Sequence, residues 1–201
     1  PLFIDVPSST ARHITRNKVV ENGHFLWVNV QPNAEFTLSM NALEHRSHWD
    51  SLHITVQRDA RFTLNLHNQG AALARQDIQI QCIEPGAEVE IHSAAAIAPG
   101  HHLDQQITLE HKAPNTRSDQ HFHNVAGDKA TVTFNGRIHI HEHCAGVAAH
   151  LSNKNLALSA NASINTKPEL EIYTDDVSCS HGATVGALDD AEVFYCTSRG
   201  V

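Results

Sequence analysis

The stretch Val28-Asn29-Val30-Gln31-Pro32-Asn33-Ala34-Glu35-Phe36-Thr37-Leu38 returns as Ile54-Thr55-Val56-Gln57-Arg58-Asp59-Ala60-Arg61-Phe62-Thr63-Leu64, with every apolar position displaced by 26 residues. A third copy, Ile80-Gln81-Cys82-Ile83-Glu84-Pro85-Gly86-Ala87-Glu88-Val89-Glu90-Ile91, keeps that offset at its start and gains one residue in its turn. Ile107-Thr108-Leu109 opens a weaker fourth copy, and residues 156–164 and 179–185 echo the pattern. Within each copy apolar and polar residues alternate at period two, the mark of short strands with one buried face, around a turn of Pro, Asn, Asp or Gly. A 26-residue copy would extend roughly 86 Å at about 3.3 Å per residue, far too long for a domain of this size, so each must turn back. If each copy makes one turn of a coil, Val30, Val56 and Cys82 stack about 4.8 Å apart and successive coils pair edge to edge. A two-sheet sandwich also uses short alternating strands, but gives no reason for one side-chain register across three copies. The expectation is an all-β chain wound as a parallel β-helix, with excursions from the coil at residues 94–100 and 111–119.

At 201 residues the chain has the size of one domain. Lys and Arg number 14 against 22 Asp and Glu, a formal net charge of -8, which repels phosphate backbones and argues against nucleic acid. No run approaches the roughly 18 apolar residues of a membrane helix, and residues 1–25 lack a signal-peptide layout, so no membrane contact and a cytoplasmic setting are expected. Cys82, Cys144, Cys179 and Cys196 are scattered, a distribution that suits reduced thiols better than a disulfide framework. The chain opens at Pro1 without Met and stops at Val201 without a closing element, and so reads as the core of a longer protein.

Three groups of residues carry potential chemistry. Cys179 and His181 are two apart, so in a strand both project from one face and present a thiolate and an imidazole to one iron; the alternative is a buried thiol beside a hydrogen-bonded His. His139, His141 and His143 alternate with Ile138, Ile140 and Glu142, and His121 and His123 repeat the arrangement. Imidazoles roughly 7 Å apart along a strand do not chelate one zinc without a bulge or a residue from the next coil, so His139 and His141 are either a polar ladder or a metal pair. Glu169 and Glu171 share a face beside Lys167, with Pro168 marking an edge or corner. Cys82 occupies an apolar repeat position and belongs to the core.

Residues 165–186, from Asn165-Thr166-Lys167-Pro168-Glu169-Leu170-Glu171 to Cys179-Ser180-His181-Gly182, closely resemble the signature of the SufB/SufD family in its SufD-like form. Asn153-Lys154-Asn155-Leu156-Ala157-Leu158 resembles the family's Asn-x-Asn-Leu-x-Leu stretch, and Phe194-Tyr195-Cys196-Thr197-Ser198-Arg199-Gly200 the motif leading into its C-terminal helical domain. Cys196 stands where SufD-like sequences favour Leu and SufB-like ones often carry Cys. The resemblance implies a right-handed parallel β-helix core over 1–195, with 196–201 beginning a truncated helical domain. It further implies a non-catalytic scaffold subunit of iron–sulfur cluster assembly, paired with a SufB-like subunit through the β-helix and with a SufC-like ATPase through the C-terminal helical domain. The cluster it implies is transient and shared, with His181 first and Cys179 second among this chain's ligands and none held stably by the chain alone. An uncovered coil edge further favours a homodimer when the partner is missing.

Two other classes compete. Parallel β-helices also act on polysaccharides, but Asp175 and Asp176 are adjacent and so point to opposite faces, and aromatics for sugar stacking are few. A cupin-like metal protein would use the His-x-His pairs in a jelly roll, against which the 26-residue register stands. No Gly-rich loop ending in Gly-Lys-Ser/Thr is present, so ATP hydrolysis is not expected of this chain.

Overall fold

A computed structural model describes residues 2–17, 23–42 and 47–201; Pro1, 18–22 and 43–46, all within the expected 1–195 core, lie outside the described residues. Among these, the strands in chain order are β1 (Leu2–Val6), β2 (Ala11–Asn17), β3 (His24–Val30), β4 (Glu35–Ala42), β5 (His48–Val56), β6 (Arg61–Asn68), β7 (Ala74–Cys82), β8 (Glu88–Ile97), β9 (His102–His111), β10 (Arg117–Ala126), β11 (Thr131–Ile140), β12 (Ala148–Ala157), β13 (Ser163–Ile172) and β14 (Ser178–Ala187). Odd strands form one seven-stranded sheet and even strands another, every neighbour parallel. The expected parallel β-helix is thereby observed as a flattened solenoid in which each coil contributes one strand to each sheet. One helix, α1 (Asp190–Ser198), follows β14 and so includes residues 190–195, which the sequence reading had placed in the coil.

The quoted repeat pairs as its spacing requires: Val28 with Ile54, Val30 with Val56, Phe36 with Phe62, and Val56 with Cys82. The offset is not constant along the chain. It grows from 24 residues, where Leu2 pairs with Leu26, to 29, where Ile78 pairs with Ile107, and to 32, where Thr131 pairs with Ser163. The expected excursions are therefore corrected. Residues 94–97 continue β8, His111 completes β9 and Arg117 opens β10. The coil absorbs most added residues by lengthening strands from seven or eight residues to ten, which pairs their backbone groups with the neighbouring coils.

One corner is turned by a residue with positive φ in every coil: Ser9, Asn33, Asp59, Gly86, Asn115, Gly146 and Asp176. Gly, Asn and Asp adopt this conformation at lowest cost, which explains six of these seven corners, Ser9 being the exception. The corner residues also bond along the axis, since the N–H of Asn33 donates to the Arg58 carbonyl at 2.9 Å and that of Asp59 to Pro85 at 3.1 Å.

Inside, a large apolar cluster contains Phe36, Phe62, Phe122 and Phe134, and a smaller one packs Ala71, Ile97, Leu103 and Val132. Phe122 and Phe134 meet across the two sheets with ring centroids 4.6 Å apart. Between the clusters runs a polar seam, in which the Gln105 amide donates to Gln76 at 3.0 Å and to Ser93 at 3.2 Å, and Asn124 donates to Asn155 at 2.9 Å.

Candidate functional site at the terminal coil

Cys179 and His181 lie on β14, the last strand of its sheet. They pair with Ala149 and Leu151 of β12, which are fully buried on the interior face. No strand of the described residues lies beyond β14 in that sheet, so the same interior columns surface there: Cys179 is half-buried against the main core and His181 is exposed. The shared face read from their spacing is thus an interior face laid open at the end of the solenoid.

Desolvation raises the Cys179 thiol above its ordinary value, opposed by a backbone hydrogen bond from Ala149. The sulfur is therefore held as a thiol, and a metal binding there must displace its proton. Ile172 and Val185, which continue other interior columns of the last coil, are exposed too, as are Leu188 beyond β14 and Val193, Phe194 and Tyr195 of α1. Asp189 caps that helix, its carboxylate accepting from the Ala191 and Glu192 amides at 2.8 and 3.3 Å.

Pro168 faces Gly136 on β13, the last strand of the other sheet, where a missing N–H is tolerated. Glu169 is tied to Lys167 at 2.6 Å and Glu171 lies 3.0 Å from His139 and 3.6 Å from Arg137, so this acidic pair belongs to an outer-face lattice.

His139 and His141 are not spaced as a regular strand would hold them. β11 ends at Ile140, the chain turns, and the two rings stack with centroids 4.1 Å apart, while His143 takes φ 63° in the turn. His141 Nε2 bonds Glu110 at 3.2 Å, and Glu110 also meets Lys112 at 2.9 Å. Burial pushes the Glu110 carboxyl up, but the hydrogen bonds from Lys112 and His141 outweigh it and hold the group below the usual range. Among the described residues no three His, Cys, Asp or Glu side chains are grouped to hold one metal ion.

His111 was missed as a polar core residue. It continues the column Val30, Val56, Cys82, and is fully buried. Thr116 spends its hydroxyl proton on the Ala113 carbonyl at 3.1 Å, so it accepts from His111 Nδ1–H at 2.7 Å. Nε2 is left to accept from Ser118 at 3.0 Å. This neutral tautomer is fully satisfied, and desolvation lowers the imidazole to about 4. The 29-residue step from Cys82, had the lengthening coil been recognised, was the signal. Cys144 is buried with its thiol 3.4 Å from the His111 carbonyl, while Cys196 is exposed on α1.

The family model for "SUF system FeS cluster assembly, SufBD core domain" matches residues 8–201. The chain is 33% identical over 201 residues to the iron–sulfur cluster assembly protein SufD of Escherichia coli, covering 98% of this chain and 45% of that one. It is 33% identical over 174 residues to a SufBD family protein of Synechocystis, covering 84% and 38%. A SufBD family protein of Mycobacterium leprae is 26% identical over 162 residues, covering 77% and 41%. The chain thus spans less than half the length of these relatives. A solenoid of this register, ending in the Cys179 and His181 strand, together with a match over nearly its whole length, places the chain in the SufB/SufD family of iron–sulfur cluster assembly proteins.

Proposed function

We propose that this chain is a scaffold core that pairs with a SufB-like subunit across its open end and contributes His181 and Cys179 to a cluster built between the two. The observation that carries the reading is the uncovered interior column of β14, where a half-buried thiol and an exposed imidazole sit within an apolar rim on the edge strand of a sheet. An edge strand offers unpaired backbone groups to a second strand, and the apolar rim supplies the burial that association requires. Two ligands are half of the four that a cluster generally takes, so the partner supplies the rest, the cluster is transient and shared, and none is expected on the chain alone. On this reading the chain is non-catalytic and cytoplasmic, a SufC-like ATPase engages a helical region outside the described strands, and the same edge supports a homodimer when the partner is missing. Among the described residues no helix is long and apolar enough to cross a membrane.

Co-purification with a SufB-like subunit tests the reading through two variants. Val185→Glu is expected to abolish pairing without unfolding the chain. His181→Ala is expected to preserve pairing and lose cluster assembly in the complex. A stable, stoichiometric cluster on the isolated chain, or parent-level assembly with His181→Ala, would overturn the shared site. Tight SufC binding to this chain alone would refute the placement of the ATPase contact. His139 and His141, the remaining metal candidates, face carboxylates that Arg137 and Lys112 already neutralise. Zinc calorimetry on the His139→Ala/His141→Ala variant is therefore expected to match the parent, and loss of a binding site would restore the metal reading.

A further inference from the structure

The outer face of the even-stranded sheet carries a second concentration of ligating groups. Glu90 and His92 lie on β8, Asp119 and His121 on β10, and His150 on β12; Glu90 pairs with Asp119, Asp119 with His150, and His92 with His121. The result is a block of two carboxylates side by side next to two imidazoles side by side. The His92 and His121 rings are parallel to within 2° at 5.7 Å, and His150 lies 6.0 Å beyond. His92, His121, His67 and His123 line a shallow groove on this face.

Two features of the block call for a cation. Glu90 and Asp119 are like charges directly opposed on neighbouring strands, an arrangement that destabilises a sheet. Among the described residues the only cationic side chain paired with each is the histidine two positions along its own strand, which is charged only when protonated, whereas the adjacent Glu88 is taken by Arg61 at 2.9 Å. Second, Asp119 Oδ1 is screened from solvent and has no hydrogen bond of acceptable geometry, although His121 Nε2 lies only 3.0 Å away. With no hydrogen bond spent between them, the Asp119 carboxylate oxygen and the His121 ring nitrogen both keep a lone pair available to a third atom. With metal–donor distances of about 2.1 Å, cis donors of an octahedral ion lie about 3.0 Å apart and those of a tetrahedral ion about 3.4 Å apart. The observed separations are 3.0 Å for Asp119 and His121 and 3.6 Å for Glu90 and His92.

We propose that these two carboxylate–imidazole pairs are surface sites for a divalent transition ion of the Fe2+, Co2+ or Zn2+ class, with Asp119 and His121 the tighter. Mixed nitrogen and oxygen donors suit such ions better than Mg2+ or Ca2+. The four donors do not converge on one point, so each pair holds its ion through two protein ligands with water completing the shell. Sites of that kind bind weakly and exchange, as suits a cargo ion. The site is separate from Cys179 and His181, and its existence does not depend on their role.

Titration of histidine-labelled protein with Co2+, followed by NMR, tests this. Substoichiometric Co2+ is expected to broaden the His121 and His92 ring signals, identified through His121→Gln and His92→Gln, before those of His139 and His141. Asp119→Asn is expected to weaken binding at least about tenfold, the least that losing even an outer partner of a ligand costs, with the melting temperature at or above the parent's because a like-charge contact is relieved. Broadening that starts at His139, that spreads evenly over the exposed histidines, or that survives Asp119→Asn unchanged would overturn the assignment. So would a calcium titration that displaces Co2+ at equal concentration.

Discussion

Gly136 occupies the middle of β11, where a glycine ordinarily weakens a strand, and the structure gives a specific reason for it. A Cβ at this position would lie 2.6 Å from Phe134 Cζ, 2.7 Å from Phe134 Cε1 and 2.8 Å from Leu151 Cδ1. Both neighbours are fully buried, and the Phe134 ring is wedged against Phe122, so neither swings into open space. The backbone at Gly136 is not left-handed, so Gly136→Ala carries no conformational penalty and gains about 0.5–1 kcal/mol from a less flexible unfolded chain. Overpacking of a closed core costs about 1–3 kcal/mol, and three contacts under 3.0 Å place this site in the upper half of that range, which leaves a net loss of about 1–2.5 kcal/mol. Urea unfolding followed by far-ultraviolet circular dichroism measures it as a lower midpoint. The decisive control is Phe134→Leu, which removes the ring tip that the new methyl meets. In that background the two closest clashes are gone and only the Leu151 contact at 2.8 Å remains, so Gly136→Ala is expected to cost less by at least about 1 kcal/mol, a coupling between residues in contact. An unchanged midpoint for Gly136→Ala alone, or the same loss in both backgrounds, would refute the account.

Three further outcomes follow from the interior. His111 is lowered by burial to about 4 in the fold and returns to about 6.5 when unfolded, so the unfolded chain binds the extra proton between these values; its contribution, on the order of 3 kcal/mol, is complete above pH 6.5 and is lost as the pH falls towards 4. His111→Asn is expected to flatten the pH dependence of the urea midpoint in that window. Maleimide should modify exposed Cys196 first and half-buried Cys179 more slowly, leaving Cys82, whose thiol burial pushes up to about 12, and buried Cys144 untouched until the chain unfolds; mass spectrometry of a time course reads the order. Gly86→Ala should lower the midpoint by more than Gly136→Ala, because Gly86 holds φ 76° and its Cβ would fall 2.0 Å from Asp59 Oδ1. Asp59→Gly in the same chain is expected to recover the steric part of that loss.

What the sequence disclosed of the fold depended on which residues carried the repeat. Val28, Val30, Phe36 and their successors are large, so their alternation stands out, and Asn33, Asp59 and Gly86 announce the corner because few residues accept its backbone. Further along, the interior positions of β8 are Ser93, Ala95 and Ile97 between outward Ala94 and Ala96, and small residues on both faces erase the period-two contrast. The strand reads as a loop although its ladder is intact. His111 was hidden for the opposite reason: a polar residue in an apolar column is tolerable only because Thr116 and Ser118 meet both ring nitrogens, and no spacing rule brings that trio together.

The candidate site was legible as a pair and illegible as a place. Alternation alone sets Cys179 and His181 on one face, but whether that face is sealed or open depends on whether another coil stacks on β14, which is a property of the whole solenoid. Within the preceding coil the same columns hold Ala149 and Leu151, residues that only a covered interior would select. Thiol and imidazole replace them on β14, beyond which no strand of the described residues pairs, and burial still holds the proton on Cys179. A ligand poised this way gains most from a second surface that both excludes water and brings a cation, since each step of desolvation that disfavours the bare thiolate strengthens its bond to iron. On the proposed reading, pairing and cluster binding are therefore coupled: the partner that covers Val185 and Ile172 is the same one that makes Cys179 a good ligand, and weakening either event weakens the other by the same factor.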